Sequence, residues 1–383
     1  MSSNRDVVIA GGGLVGLATA WYLVEAGYGV TLLDAGHVGR EASWAGGGIL
    51  FPIYPWKYSP AVQALAQRGR ALYPAFTADV DACSGLDSEN RQTGLCVLDT
   101  SEMAPGNAWA DDHGEPTRML TGRALRERFP GVTAEQGLWF PRAAQVRNPR
   151  LCQSLYRALG RRGARIITQC AVTGIRTEKG VFAGFETARG TVPASRGVVS
   201  AGAWSSRLLG SLAPQAVFPV RGQMLLLRGE PGRLSSVLLQ GGRYVIPRAD
   251  GRILVGSTLE FDGYDKHTDV ETARSLHASA ATMCAGLAQL PVERHWSGLR
   301  PATHDEQPLI GQVPGVPGLF INSGQYLNGV LCAPSSAELL RDLIVRERPV
   351  AARAFDPARI LQTTPVTTSS QPDPRFFCPC CLI

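Results

Sequence analysis

Arg300 stands between Leu299 and Pro301 in HWSGLRPATHDEQPLIG, residues 295–311, with apolar residues close on both sides. A guanidinium stays charged in a protein and offers five donors in a planar fork, so this side chain is suited to an anion. Two anions fit: the acid group of a bound small molecule, or Asp305 or Glu306 of the chain itself. Pro301 stiffens the backbone here and Gly298 permits a tight approach, which predicts a rigid loop.

A second candidate site lies at the start of the chain. Gly11-Gly12-Gly13-Leu14-Val15-Gly16 fits Gly-x-Gly-x-x-Gly, and Asp34 follows Gly16 by about 18 residues. The stretch before it, DVVIA (6–10), reads as a buried strand. LVGLATAWYLVEAG (14–27) reads as a helix ending at Gly27, and GVTLLD (29–34) as a second strand. In that frame Gly11 turns the strand sharply, Gly13 lets backbone amides approach a pyrophosphate, and Gly16 allows close helix–strand packing. The helix N-terminus favours phosphate, and Asp34 accepts from a ribose diol. NAD and FAD fit this unit equally well.

The chain has 383 residues, 44% apolar and 18% charged, with a net charge of +6. That length predicts one large domain or two interleaved ones. Basic residues are not clustered with aromatics, so nucleic acid is not an expected partner. Most of the nine cysteines are isolated in apolar surroundings, and the six histidines are scattered. This predicts a reducing compartment, the cytoplasm, and no metal site. Residues 7–24 carry no charge and imitate a membrane span or leader. The three consecutive glycines favour strand–turn–helix instead, so no span is expected.

Further on, residues 148–178 read as an amphipathic helix followed by strands, and 196–209 as a buried strand then a helix. The stretches 91–100, 137–146, 218–229 and 241–258 read as strands, with a tight hairpin at Asp250-Gly251. The expected fold class is α/β (α+β, two-domain): a Rossmann-like dinucleotide-binding domain interleaved with an antiparallel-sheet domain. The first is assigned residues 1–85, 142–215 and 296–357, and the second 86–141 and 216–295. Residues 358–383 read as a disordered tail. Its final Cys380-Cys381-Leu382-Ile383 resembles a prenylation box, an unstructured end being the plainer reading.

Seven stretches in order decide between the dinucleotides: REASWAGGGIL (40–50), NPRL (148–151), AGAWS (201–205), RGQMLLL (221–227), YVIPRADGRILVGST (244–258), GLRPATHDEQPLIG (298–311) and GQYLNGVLCAPSSAELLRDLI (324–344). Over about residues 5–350 the chain resembles the glycine oxidase / D-amino acid oxidase family of flavoenzymes, above all the glycine oxidases of thiamine biosynthesis. The resemblance implies FAD, with Leu14 and Val15 at the pyrophosphate turn and Asp34 and Ala35 at the adenosine ribose. It places Ser43 and Gly46-Gly47-Gly48 along the flavin and its diphosphate, and the backbone of Val172 at the adenine. Gln325, Tyr326, Leu327, Asn328, Gly329, Val330 and Leu331 would lie against the isoalloxazine, with a helix starting at Asn328-Gly329. Arg300 would then hold the substrate carboxylate, assisted by the hydroxyl of Tyr244; a core aromatic is the plain alternative for Tyr244.

Two positions depart from the family pattern. Gln325 stands for a histidine and Leu327 for an arginine. No cysteine stands at the position, after the GLRP stretch, where the related sarcosine oxidases tether their flavin, which implies non-covalent FAD. The implied reaction is oxidative deamination of glycine, sarcosine or a small D-amino acid, with O2 as acceptor and H2O2 as product. A D-amino acid dehydrogenase passing electrons to a quinone is the alternative. Relatives also imply a homo-oligomer.

Overall fold

The computed structural model describes residues 5–346 and 350–361. The chain opens with β1 (Asp6–Ala10), α1 (Leu14–Glu25) and β2 (Gly29–Leu33), within a residue or two of the elements expected. β1 lies between β2 and strand Arg196–Val199, parallel to both. That central position explains its unbroken apolar run. Val7 and Ile9 pack into a core with α1 and helices Pro60–Ser84, Asn148–Arg161 and Ala333–Arg346. Val8 and Ala10 face the other way, toward Phe182 and Phe185 of a small antiparallel sheet spanning 172–193.

The full six-stranded sheet runs Leu309–Gln312, Leu319–Ser323, Arg196–Val199, β1, β2, Arg165–Ile167. Only the Leu309–Gln312 edge is antiparallel. A second sheet has eight strands, in the order Val292–Ala302, Phe218–Leu227, Ile253–Gly256, Arg243–Pro247, Val237–Gln240, Leu95–Val97, Gln136–Phe140, Arg118–Thr121. Its pairs are antiparallel except Val237–Gln240 with Leu95–Val97, which run parallel. The expected hairpin is present: Arg243–Pro247 and Ile253–Gly256 pair antiparallel, and Gly251 has a φ of 87°. Helix Val270–Met283 covers the back of this sheet. The front, with Met224, Tyr244, Ile246 and Phe140, packs on Phe51 and Trp109.

The rigid loop expected around Arg300 is instead the inner half of strand Val292–Ala302. It pairs with Phe218–Leu227 over nearly its whole length, Arg300 opposite Val220. The domain boundary placed at residue 296 therefore falls inside a strand, and Arg300 belongs to the eight-stranded sheet. Residues Ala358–Leu361 form a short helix where a tail was expected. Residues 362–383, with the terminal cysteines, lie outside the described residues. Among the described residues no helix is long and apolar enough to cross a membrane.

Candidate active site

A cavity of about 550 Å³ opens where β1, β2, Arg196–Val199 and Leu319–Ser323 end; Gly11, Asp34, Ser200 and Asn322 line it. Ligands of open α/β sheets bind at such carboxyl ends. Gly11 has a φ of 112°, and a Cβ there would lie 2.2 Å from the carbonyl oxygen of Ser200, so only glycine fits. A Cβ on Gly16 would lie 2.0 Å from the carbonyl oxygen of Gly11. Gly16 is thus a packing residue, and it does not line the cavity. The carboxylate of Asp34 accepts from the amides of Gly12 at 2.7 Å and Gly36 at 2.8 Å, tying the glycine turn to the end of β2. Gly13 caps α1, and the amide of Leu14 donates to Ser43 Oγ at 2.8 Å. The hydroxyl of Ser200 is buried in this wall with no hydrogen-bond partner among the described residues, a group the sequence reading missed.

The loop through Gly46, Gly47 and Gly48 forms the adjoining wall, with Ala35 and Val172 also lining the cavity. Gly48 has a φ of 76°, and a Cβ there would lie 2.1 Å from the carbonyl oxygen of Val146. Two buried side chains hold this loop from outside the cavity. Asn148 Nδ2 donates to the carbonyls of Ser43 at 2.5 Å and Gly46 at 2.9 Å. Arg248 Nη2 donates to the carbonyl of Gly47 at 2.8 Å. Burial, with Arg147 next, pulls the Arg248 guanidinium down to about 10, which leaves it charged at neutral pH. Neither residue was singled out in the sequence. A lone arginine after the apolar run of Tyr244, Val245 and Ile246 was the available signal.

At the other end of the cavity, Tyr326–Asn328 forms a 3₁₀ turn and the α-helix starts at Ala333, not at Asn328-Gly329. Irregular turns bridge the gap, with the amide of Cys332 bonded to the carbonyl of Asn328 at 2.8 Å and that of Ala333 to Val330 at 3.3 Å. Among the described residues the amides of Gly329, Val330 and Leu331 take no backbone acceptor. They remain available as donors beside the cavity these residues line. Tyr73 fixes the turn from behind, donating its hydroxyl to the carbonyl of Val330 at 2.6 Å. Gln325 lines the cavity, but its amide turns inward and donates to Asn322 Oδ1 at 2.7 Å. Tyr326 packs with Val220 and Ala302, and Leu327 is 37% exposed at the cavity edge.

Arg300 and Tyr244 both stand on strands of the eight-stranded sheet, and both line the cavity. Arg300 donates Nη2 to Ser257 Oγ at 2.7 Å and Nη1 to the carbonyl of Thr258 at 3.1 Å. Asp305, one suggested ion-pair partner, is held by Arg359 at 2.7 Å. Among the described residues no carboxylate pairs with Arg300, so its charge is held in place by neutral acceptors. The buried Tyr244 hydroxyl has Met224 Sδ at 3.4 Å, a weak acceptor readily exchanged for an anion. Ile49, Phe51, Ile53 and Met224 give this end an apolar wall.

A glycine turn that admits no Cβ and an unpartnered Ser200 hydroxyl at one end of the cavity, with amides lacking a backbone acceptor at the other, fit an extended dinucleotide. Such a site at the carboxyl ends of an open α/β sheet defines a dinucleotide-dependent protein. The family described as FAD dependent oxidoreductase matches residues 6–343, and the chain belongs to it. It is 43% identical to a glycine oxidase of Pseudomonas putida over 93% of this chain and 97% of the relative. It is 32% identical to the bifunctional protein ThiO/ThiG of a Nostoc species, over 90% of this chain and 53% of the relative. The crystal structure of glycine oxidase from Geobacillus kaustophilus superposes with a TM-score of 0.86 at 28% identity, covering 92% of this chain and 98% of that one. FAD is the cofactor.

Proposed function

We propose that the protein oxidises glycine, or another small amino acid such as sarcosine or a small D-amino acid, at its Cα–N bond. The imine formed is hydrolysed to the 2-oxo acid and ammonia or amine, and O2 is reduced to H2O2. Bound FAD supplies the two-electron acceptor. The residues of the chain bind and orient. Arg300 grips the carboxylate through its fork, Tyr244 adds a second donor, and the apolar wall keeps water from the reacting carbon. The observation that carries this reading is Arg300 itself, a cation without an acidic partner among the described residues, lining the cavity of an FAD-dependent family. The similarity to the bifunctional ThiO/ThiG protein supports a place in thiamine (thiazole) biosynthesis. All six described cysteines are free thiols, which supports the cytoplasm as its compartment.

The test is anaerobic bleaching of the flavin across a panel of amino acids, followed by an assay for H2O2 on admitting air. Bleaching by glycine or a small relative, with peroxide formed in step, is expected. No bleaching by any amino acid overturns the substrate class. Bleaching with electrons passing only to a quinone or dye makes the protein a dehydrogenase.

A further inference from the structure

Arg248 is 7% exposed, and every hydrogen bond it makes goes to a neutral acceptor. Nη1 donates to Gln145 Oε1 at 2.7 Å and to the carbonyl of Val146 at 3.0 Å, and Nη2 to the carbonyl of Gly47 at 2.8 Å. The two acids that act on it electrostatically, Glu89 and Asp250, are already engaged. Arg147 lies 3.2 Å from Glu89 and 3.0 Å from Asp250, while Arg150 and Arg252 each add a contact at 3.1 Å to Glu89 and Asp250 respectively. A buried cation without a carboxylate is costly to maintain, so its charge is expected to serve something nearby. One of its three side-chain bonds reaches the Gly46–Gly48 loop at the cavity wall. The carbonyl of Gly47 shares its peptide group with the amide of Gly48, which lines the cavity and takes no backbone acceptor. A charge-assisted bond to that carbonyl polarises the peptide and strengthens the amide as a donor.

We propose that Arg248 is a positioning residue of the flavin site: it clamps the Gly46–Gly48 loop, and its unshared charge favours the negative reduced flavin over the neutral oxidised form. The inference rests on FAD occupying this cavity. It concerns a residue outside the amino-acid end of the site.

The experiment is the midpoint potential of FAD in the purified holoenzyme, without amino acid, in wild type, Arg248→Gln, Arg248→Lys and Gln145→Glu. Arg248→Gln removes the charge and should lower the potential, by about 30 mV for a tenfold loss of preference for reduced flavin. Arg248→Lys keeps the charge with fewer donors; its potential should stay near wild type while FAD dissociates faster. Gln145→Glu places a carboxylate on Nη1 with the arginine still present, and should lower the potential in the same direction. Faster FAD loss in all three variants with the potential unchanged would reduce Arg248 to a structural strut and overturn the proposal. Should Arg248→Gln fail to accumulate, an unchanged potential in Gln145→Glu overturns it alone. No amino acid is present, so the result is independent of the role of Arg300; wild type that binds FAD outside this cavity would instead defeat the premise.

Discussion

Gly222 leaves the space that the Arg300 guanidinium occupies: a methyl group built on Gly222 would lie 2.1 Å from Nη1 of Arg300. The two residues sit on adjacent antiparallel strands, with Val220 opposite Arg300 and Gly222 opposite Gly298. A paired strand holds the cation more rigidly than a loop would. Gly222→Ala should push the guanidinium off Ser257 and Thr258 and weaken substrate binding by about 1–3 kcal/mol, the usual scale for overpacking a filled site. FAD content should be unchanged. Titration of flavin bleaching with substrate under anaerobic conditions measures it, and wild-type affinity in this variant would show that the arginine acts from another position.

Removing the cation itself should cost more. Arg300→Met is expected to lose on the order of 2–5 kcal/mol of substrate affinity, the range for truncating one side of a buried charged hydrogen-bonded pair. Ser257→Ala, which removes one neutral partner of the guanidinium, should cost only about 0.5–1.5 kcal/mol. The ratio of KM values across the three proteins is the check. Equal KM in all of them would remove the carboxylate from this site.

Asp34 is expected to act on the cofactor and not on the substrate. Its carboxylate holds the amides of Gly12 and Gly36, so Asp34→Ala frees the glycine turn and removes the acceptor for a ribose diol. A loss of roughly 1–3 kcal/mol in FAD affinity follows from leaving those donors unpaired. The visible absorbance per protein after extended dialysis reads it. A variant as yellow as wild type would mean that the ribose is held elsewhere.

Acid stability should depend on Asp269, which caps helix Val270–Met283. Its carboxylate accepts from the amide of Thr272 at 2.7 Å and from Gln223 Nε2 at 3.1 Å. These bonds, the Thr272 amide foremost, hold its carboxyl well below the usual range. The folded pKa is depressed, so the stabilisation is fully present above the unfolded value of about 4 and is lost as pH falls through the folded value. Asp269→Asn keeps a cap that does not titrate, so its urea midpoint should fall less steeply than wild type below about pH 4. Parallel midpoints for the two proteins across pH 5 to 3 would rule out this carboxylate as a contributor to acid unfolding.

Much of the nucleotide end was legible in the sequence because its determinants are local. The glycines at 11, 13 and 16, the apolar runs on either side and Asp34 lie within one strand–helix–strand unit. Steric rules that exclude a Cβ act over a few residues, so the turn could be read from spacing alone. Gly46, Gly47 and Gly48 were found through resemblance, and the structure accounts for Gly48 through the close approach of Val146.

The amino-acid end was decided by tertiary structure. Arg300 was conspicuous, but its strand conformation depends on pairing with Phe218–Leu227, some eighty positions earlier, and Gly298 and Pro301 made a loop the better local reading. Its freedom from Asp305 depends on Arg359, which takes that carboxylate. Asn148 and Ser200 carry no local signature and Arg248 only a faint one, since their importance comes from backbone carbonyls and cavity walls that distant segments bring to them. Burial and partner choice are properties of the packed chain. By itself the sequence determined which residues bend, cap and carry charge; only the fold determined which of those charges would face a ligand.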